Sequence, residues 1–105
     1  MSEAAQSVFG ERLKEARLRV GLSQKRLGIA AGLDEFVASA RINRYELGVH
    51  KVDYPLACRL ATVLQVPVAY FYADDEHLAE LIVLYGRAAK KQQLRLLALA
   101  REAAC

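Results

Sequence analysis

Gly21-Leu22-Ser23-Gln24-Lys25-Arg26-Leu27-Gly28-Ile29-Ala30-Ala31-Gly32-Leu33 is followed, eight residues later, by Ile42-Asn43-Arg44-Tyr45-Glu46-Leu47-Gly48. Ser23 suits a helix N-cap, because its hydroxyl can accept from an otherwise unpaired backbone N–H. A helix over Gln24–Ala31 is predicted from it. The cap is only half of a capping box, since Arg26 stands where Glu would complete it. Gly32 breaks that helix and tolerates the positive φ that a tight turn demands. A further helix is predicted from Glu35 or Ala38 to Leu47, with Asp34 as its candidate cap and Gly48 as its stop. Two short helices joined through a glycine fit a helix-turn-helix. Such helices cross closely, and Gly28 supplies the small side chain needed at the crossing. Leu27, Leu33 and Ile42 are spaced to form a small core between them.

Outward from this stretch the pattern stays helical. Ser7 is a candidate cap for a first helix ending at Val20. Its apolar positions are Val8 or Phe9, Leu13, Ala16 and Val20. Glu11, Arg12, Glu15 and Arg19 are expected largely on the opposite, solvated side. Gly21 ends the helix. Residues 1–6 read as a loose tail. Beyond Gly48, Val49–Tyr54 reads as a loop, and Pro55 opens a fourth helix, where its missing N–H costs nothing. Leu56, Leu60, Ala61, Val63 and Leu64 line its inner face. Val66-Pro67 makes a break, and Val68–Tyr72 a short helix or turn. The acidic run Asp74–Glu76 suits the start of another helix. Leu78, Leu81, Ile82 and Tyr85 then recur at i, i+3, i+4 and i+7. Gly86 is expected to bend the chain before Leu94, Leu97 and Ala98, flanked by Leu96 and Leu99, carry an apolar helix onward.

Composition narrows the function. With 105 residues, 54% of them hydrophobic and 26% charged, the chain is long enough for one packed domain and too apolar to be disordered. Ala, Leu, Arg and Glu dominate, which favours helix. Residues 1–72 carry ten Lys/Arg against seven Asp/Glu, while residues 73–105 carry five of each. The excess positive charge therefore lies where an anionic partner would meet the first domain. Cys58 and Cys105 have no metal-ligand spacing, and a reduced protein with one buried and one exposed thiol is expected. No signal-like start and no apolar run near the ~20 residues of a membrane span is present, so the expected compartment is the cytoplasm, with no membrane partner. An enzyme is not expected. There is no glycine-rich phosphate loop with a following Lys and no nucleophile–base pattern, and His50 and His77 stand alone. No metal and no cofactor is expected.

The residues Arg17, Gly21-Leu22-Ser23-Gln24, Leu27, Ala31-Gly32-Leu33, Ile42, Glu46, Gly48 and Leu60-Ala61 with Leu64 resemble the Xre family, the helix-turn-helix domains similar to lambda repressor and Cro. The resemblance covers residues 9–72. It implies an all-α fold: a compact five-helix domain over 7–72, followed by a helical extension over 73–105. It also implies binding to double-stranded DNA. One departure stands out. Between Gly32 and Ile42 the chain carries about four extra residues, naturally placed at Asp34-Glu35-Phe36-Val37. Four residues make about one helical turn. The insert therefore either lengthens the recognition helix without rotating it or adds a turn before it.

Aligned backwards from Ile42 and Glu46, the resemblance places Ser39, Ala40 and Arg41 at groove-facing positions, with Arg44 one turn later. Arg can bond both acceptors on a guanine edge. Asn43 reads adenine or bonds a phosphate. Alternatively, the arginines touch only phosphates, or pair with Glu35 and Glu46. Gln24 occupies the position that meets a phosphate in the family. Lys25, His50 and Lys51 are further phosphate candidates, or merely solvated. Arg17 and Glu46 correspond to a salt bridge that orients the recognition helix.

The extension has three readings: packing on the chain's own core, a homodimer interface, or docking of a protein partner. Its stripe of Leu78, Leu81, Ile82, Tyr85, Leu94 and Leu97 must be buried somewhere. Dimerisation is favoured, because this binding mode reads two half-sites related by symmetry. The expected function is a sequence-specific transcriptional regulator, a repressor that occupies a palindromic operator as a dimer. The alternative is an antitoxin whose tail clasps a toxin.

Overall fold

The computed structural model describes residues 7–105, so the tail expected over 1–6 lies outside the described residues. The chain forms helices α1 (Val8–Val20), α2 (Gln24–Ala30), α3 (Ala38–Glu46) and α4 (Tyr54–Leu64), a 3-10 helix (Val68–Tyr72), then α5 (Glu76–Arg87) and α6 (Lys90–Ala104). Among the described residues there is no strand, and no helix is long and apolar enough to cross a membrane.

Local chemistry sets most helix starts. The Ser7 hydroxyl accepts from Gly10 N–H, and the Ser23 hydroxyl from Arg26 N–H. Asp53 caps α4 through Leu56 N–H, one residue earlier than an opening at Pro55, and Asp75 caps α5 through Leu78 N–H. Asp34 does not cap α3. Its carboxylate accepts from Phe36 N–H, and its carbonyl from Val37 N–H, closing a tight turn over the insert. The insert is thus an extra turn ahead of the recognition helix. Gly32 joins α2 to that turn with φ of +95°, a conformation that side chains with a Cβ resist.

The core lies where α1, α2, α3 and α4 meet the 3-10 helix. Leu13, Ala16, Leu27, Ile42, Leu60, Leu64 and Phe71 are fully buried there. Burying each large apolar side chain contributes about 1.5–3 kcal/mol. Phe9 rests on Phe71, with ring centroids 4.8 Å apart, and on Tyr72 at 5.4 Å. The most extensive helix pairing is α2 on α3. A Cβ on Gly28 would lie 2.7 Å from the Ala38 Cβ, so this crossing requires glycine.

Arg12 departs from the solvated side expected of it. It is buried, and its Nε donates to Ala73 O at 2.9 Å. Gly86 departs as well. It lies within α5, where a Cβ would meet the Pro67 ring at 2.7 Å. The chain instead turns at Ala88 and Ala89, both extended.

The extension divides its loyalties. Ala79 and Val83 of α5 belong to the core, and Ile82 packs partly against it. Leu78, Leu81, Leu84 and Tyr85 are exposed. No residue of α6 is buried. Gln93 Nε2 donates to Tyr85 O at 2.8 Å and ties the start of α6 to the end of α5. The molecule is accordingly long, 49 × 33 × 22 Å. Cys58 is half-buried, Cys105 is exposed, and both are free.

Candidate nucleic-acid interface

The site begins with the side chains that fix α3. Arg17 on α1 donates from Nε to Glu46 Oε2 at 2.6 Å and from Nη2 to Glu46 Oε1 at 3.2 Å. Its Nη1 donates to Leu22 O at 3.0 Å, in the turn that starts α2. The Arg17 side chain is 10% exposed and that of Glu46 3%. One guanidinium therefore joins α1, the turn and the end of α3 in fixed geometry, as a bidentate pair does.

Gln24 completes this clamp. Its Nε2 donates to Glu46 Oε1 at 3.0 Å and to Asn43 Oδ1 at 3.2 Å. A side-chain amide nitrogen has two hydrogens, and both are used here. A phosphate that accepted from this amide would have to displace Asn43 or Glu46 from one of them. Arg17, Gln24, Asn43 and Glu46, which the sequence spreads over thirty residues, stand together.

On α3, Ala38, Ile42 and Tyr45 are buried, whereas Ser39, Ala40, Asn43 and Arg44 are exposed along one face. Arg41 is half-buried. Its Nε donates to the Tyr45 hydroxyl at 3.1 Å, and its Nη2 bonds the same oxygen. Glu46 is taken by Arg17 and Gln24, so it is not the partner of Arg41 or Arg44. Lys25 is exposed on the first turn of α2. His50 and Lys51 are exposed just past α3, where the N–H groups of Val49 and His50 return to Arg44 O.

A second polar cluster escaped sequence reading. Arg12 Nη1 donates to Glu15 at 3.1 Å and to Glu76 at 3.2 Å. The Tyr70 hydroxyl donates to Glu15 and accepts from Arg19 Nη2 at 2.9 Å. This cluster joins α1 to the 3-10 helix and α5. Burial alone would raise the Glu15 pKa. The hydrogen bonds from Tyr70 and Arg12, with the positive charge of Arg12 and Arg19, outweigh it and hold the carboxyl below its ordinary value. Burial, then the bond to Glu15, pushes the Tyr70 phenol up. The available signal was an Arg, rather than an apolar residue, one position before the core residue Leu13.

Between α5 and α6 runs an open groove of about 660 Å³. Leu78, Leu81, Ile82, Tyr85 and Leu97 line it. Leu94 is exposed away from the lining, and Leu96 and Leu99 line the groove instead. The α6 stripe is thus displaced from the one expected.

Residues 8–70 match the family model described as a helix-turn-helix domain. The chain belongs to the helix-turn-helix domain family. Among similar proteins of this family are two described as uncharacterized HTH-type transcriptional regulators, from Sinorhizobium medicae and Rhizobium meliloti. Each is 31% identical over 65 residues, 62% of this chain and 44% of the relative. The chain thus aligns with less than half the length of these relatives. The crystal structure of transcriptional regulator BswR superposes with a TM-score of 0.81 at 44% identity, covering 89% of this chain and 92% of BswR. That likeness takes in the extension as well as the helix-turn-helix, since the family match itself stops at residue 70.

Proposed function

We propose that this protein is a sequence-specific double-stranded DNA-binding transcriptional regulator that acts as a dimer. The observation that carries the reading is the clamped α3: a recognition helix held by the buried Arg17–Glu46 pair, with Ser39, Ala40, Asn43 and Arg44 exposed on one face. Preorganised side chains in the major groove are what base reading needs. Arg44 bonds a guanine edge. Ser39 and Ala40 contact neighbouring bases, and Asn43 reads adenine once Gln24 turns to a phosphate. Lys25, His50 and Lys51 flank this face and meet the backbone. The names of the relatives and of BswR as transcriptional regulators support the same function.

The dimer closes over the apolar groove between α5 and α6, with Leu78, Leu81, Tyr85 and Leu97 at the seam. A two-fold pair sets two copies of α3 in successive major grooves, ~34 Å apart. Occupancy of an operator that overlaps a promoter excludes polymerase, which makes repression the expected outcome. Selection of sites from a random duplex library at near-physiological salt, with light scattering on the free protein, tests both claims. An enriched palindrome and a dimeric mass are expected. A monomer that becomes no larger on DNA would refute the dimer, and salt-sensitive binding without enrichment would refute sequence reading.

A further inference from the structure

Phe36 is 88% exposed, more than any other large apolar side chain on the described surface. It is not on a loose loop. Its own N–H is bonded to the Asp34 carboxylate at 3.0 Å, the next N–H returns to Asp34 O at 3.1 Å, and Val37 O accepts from Arg41 N–H at 2.9 Å. The turn of the insert therefore runs directly into α3. Phe36 precedes Ser39 and Ala40 by three and four residues, and Asn43 and Arg44 by seven and eight. Phe36 stands in the turn two residues before α3 begins at Ala38, at the same end of that helix as Ser39 and Ala40. All five are exposed, while Ala38, Ile42 and Tyr45 face the core.

In a helix-turn-helix the N-terminal end of the recognition helix meets the base edges. The ring thus sits where α3 enters the groove. A phosphate is not its target, because a phenyl ring has no hydrogen-bond donor to offer a phosphate oxygen. The apolar feature the major groove offers is the C5-methyl of thymine.

We propose that Phe36 is a specificity-determining residue whose ring packs on the C5-methyl of a thymine next to the bases read by Ser39, Ala40 and Arg44. The proposal rests on the DNA-reading function given above. The insert then extends the read sequence outward by one turn of protein.

The test uses the selected operator and the full chain. Each thymine in turn is replaced by deoxyuracil, which lacks only the methyl group. Wild type and Phe36→Ala are titrated on every duplex. At one thymine per half-site, uracil should weaken wild type about fourfold, the worth of one methyl taken out of water. Phe36→Ala should bind the thymine and uracil duplexes equally, and with no more than the affinity of wild type for uracil. An unchanged melting temperature establishes that this exposed substitution leaves the fold intact. If the operator is bound but uracil weakens both proteins alike, or neither, Phe36 does not read thymine. If no operator is selected at all, the DNA-reading function fails first, and the thymine contact with it.

Discussion

Arg17 of α1 donates two hydrogen bonds to the Glu46 carboxylate at the end of α3, with both side chains almost wholly out of water. The pair also anchors Gln24 and the carbonyl of Leu22. Breaking such a pair strands a buried charge. Glu46→Ala should therefore cost about 3–5 kcal/mol of folding stability, read as a lower urea midpoint at constant slope. Replacing both residues by apolar side chains of similar volume should recover much of that stability but not operator affinity, because α3 loses its orientation.

Arg44 and Gln24 should separate by the kind of DNA contact they make. Arg44→Ala is expected to weaken operator binding by about 1–3 kcal/mol and to relax preference at one base position. Gln24→Ala should weaken operator and random duplex alike. It also releases Asn43 and Glu46, so a small loss of stability accompanies it. Titrations of both variants on operator and scrambled duplexes distinguish the two patterns.

Acidity should act through Glu15. Its carboxyl lies below the ordinary range in the folded chain. The folded state therefore holds its proton less tightly than the unfolded state, and deprotonated Glu15 favours folding. That contribution is present above the ordinary carboxylate range of about 4.3. It is lost as pH falls through the lower folded value. Glu15→Gln should flatten this part of the acid limb in stability measured against pH.

Gly28→Ala should destabilise by about 1–3 kcal/mol. The added methyl would lie 2.7 Å from Ala38 Cβ and 3.1 Å from Ala38 Cα and O. The backbone of α3 must move to admit it, so operator affinity should fall together with the melting temperature. Ala38→Gly in the same chain should restore part of both.

Where structure depends on neighbours in sequence, it was legible. Ser7 and Ser23 accept from N–H groups three residues on, and Gly21 ends α1. The resemblance to the Xre family likewise placed Arg17 beside Glu46. Features that depend on distant contacts were hidden. Gly86 looks like a bend, yet it lies within α5 and is glycine because Pro67 occupies the space a side chain would need. Arg12 looks solvated, but its partners Ala73 and Glu76 lie more than sixty residues away. Asp34 looks like a cap for α3, and the extra turn of the insert takes its carboxylate first. Asp53 was readable and overlooked: an Asp three residues ahead of Leu56, with Pro55 between, is a helix start.

Two small, extended residues, Ala88 and Ala89, set the angle at which α6 leaves α5. α5 is fastened to the core at Ala79, Val83 and Gly86, whereas α6, fifteen residues long, leaves that joint with nothing buried. It is a lever about 22 Å long. A rotation of about 10° at two small residues carries its far end about 4 Å, close to the ~3.4 Å rise of one base pair. If the proposed dimer closes through α6, substitutions at Ala88 or Ala89 are expected to change the spacing of the selected half-sites without altering any side chain placed on DNA.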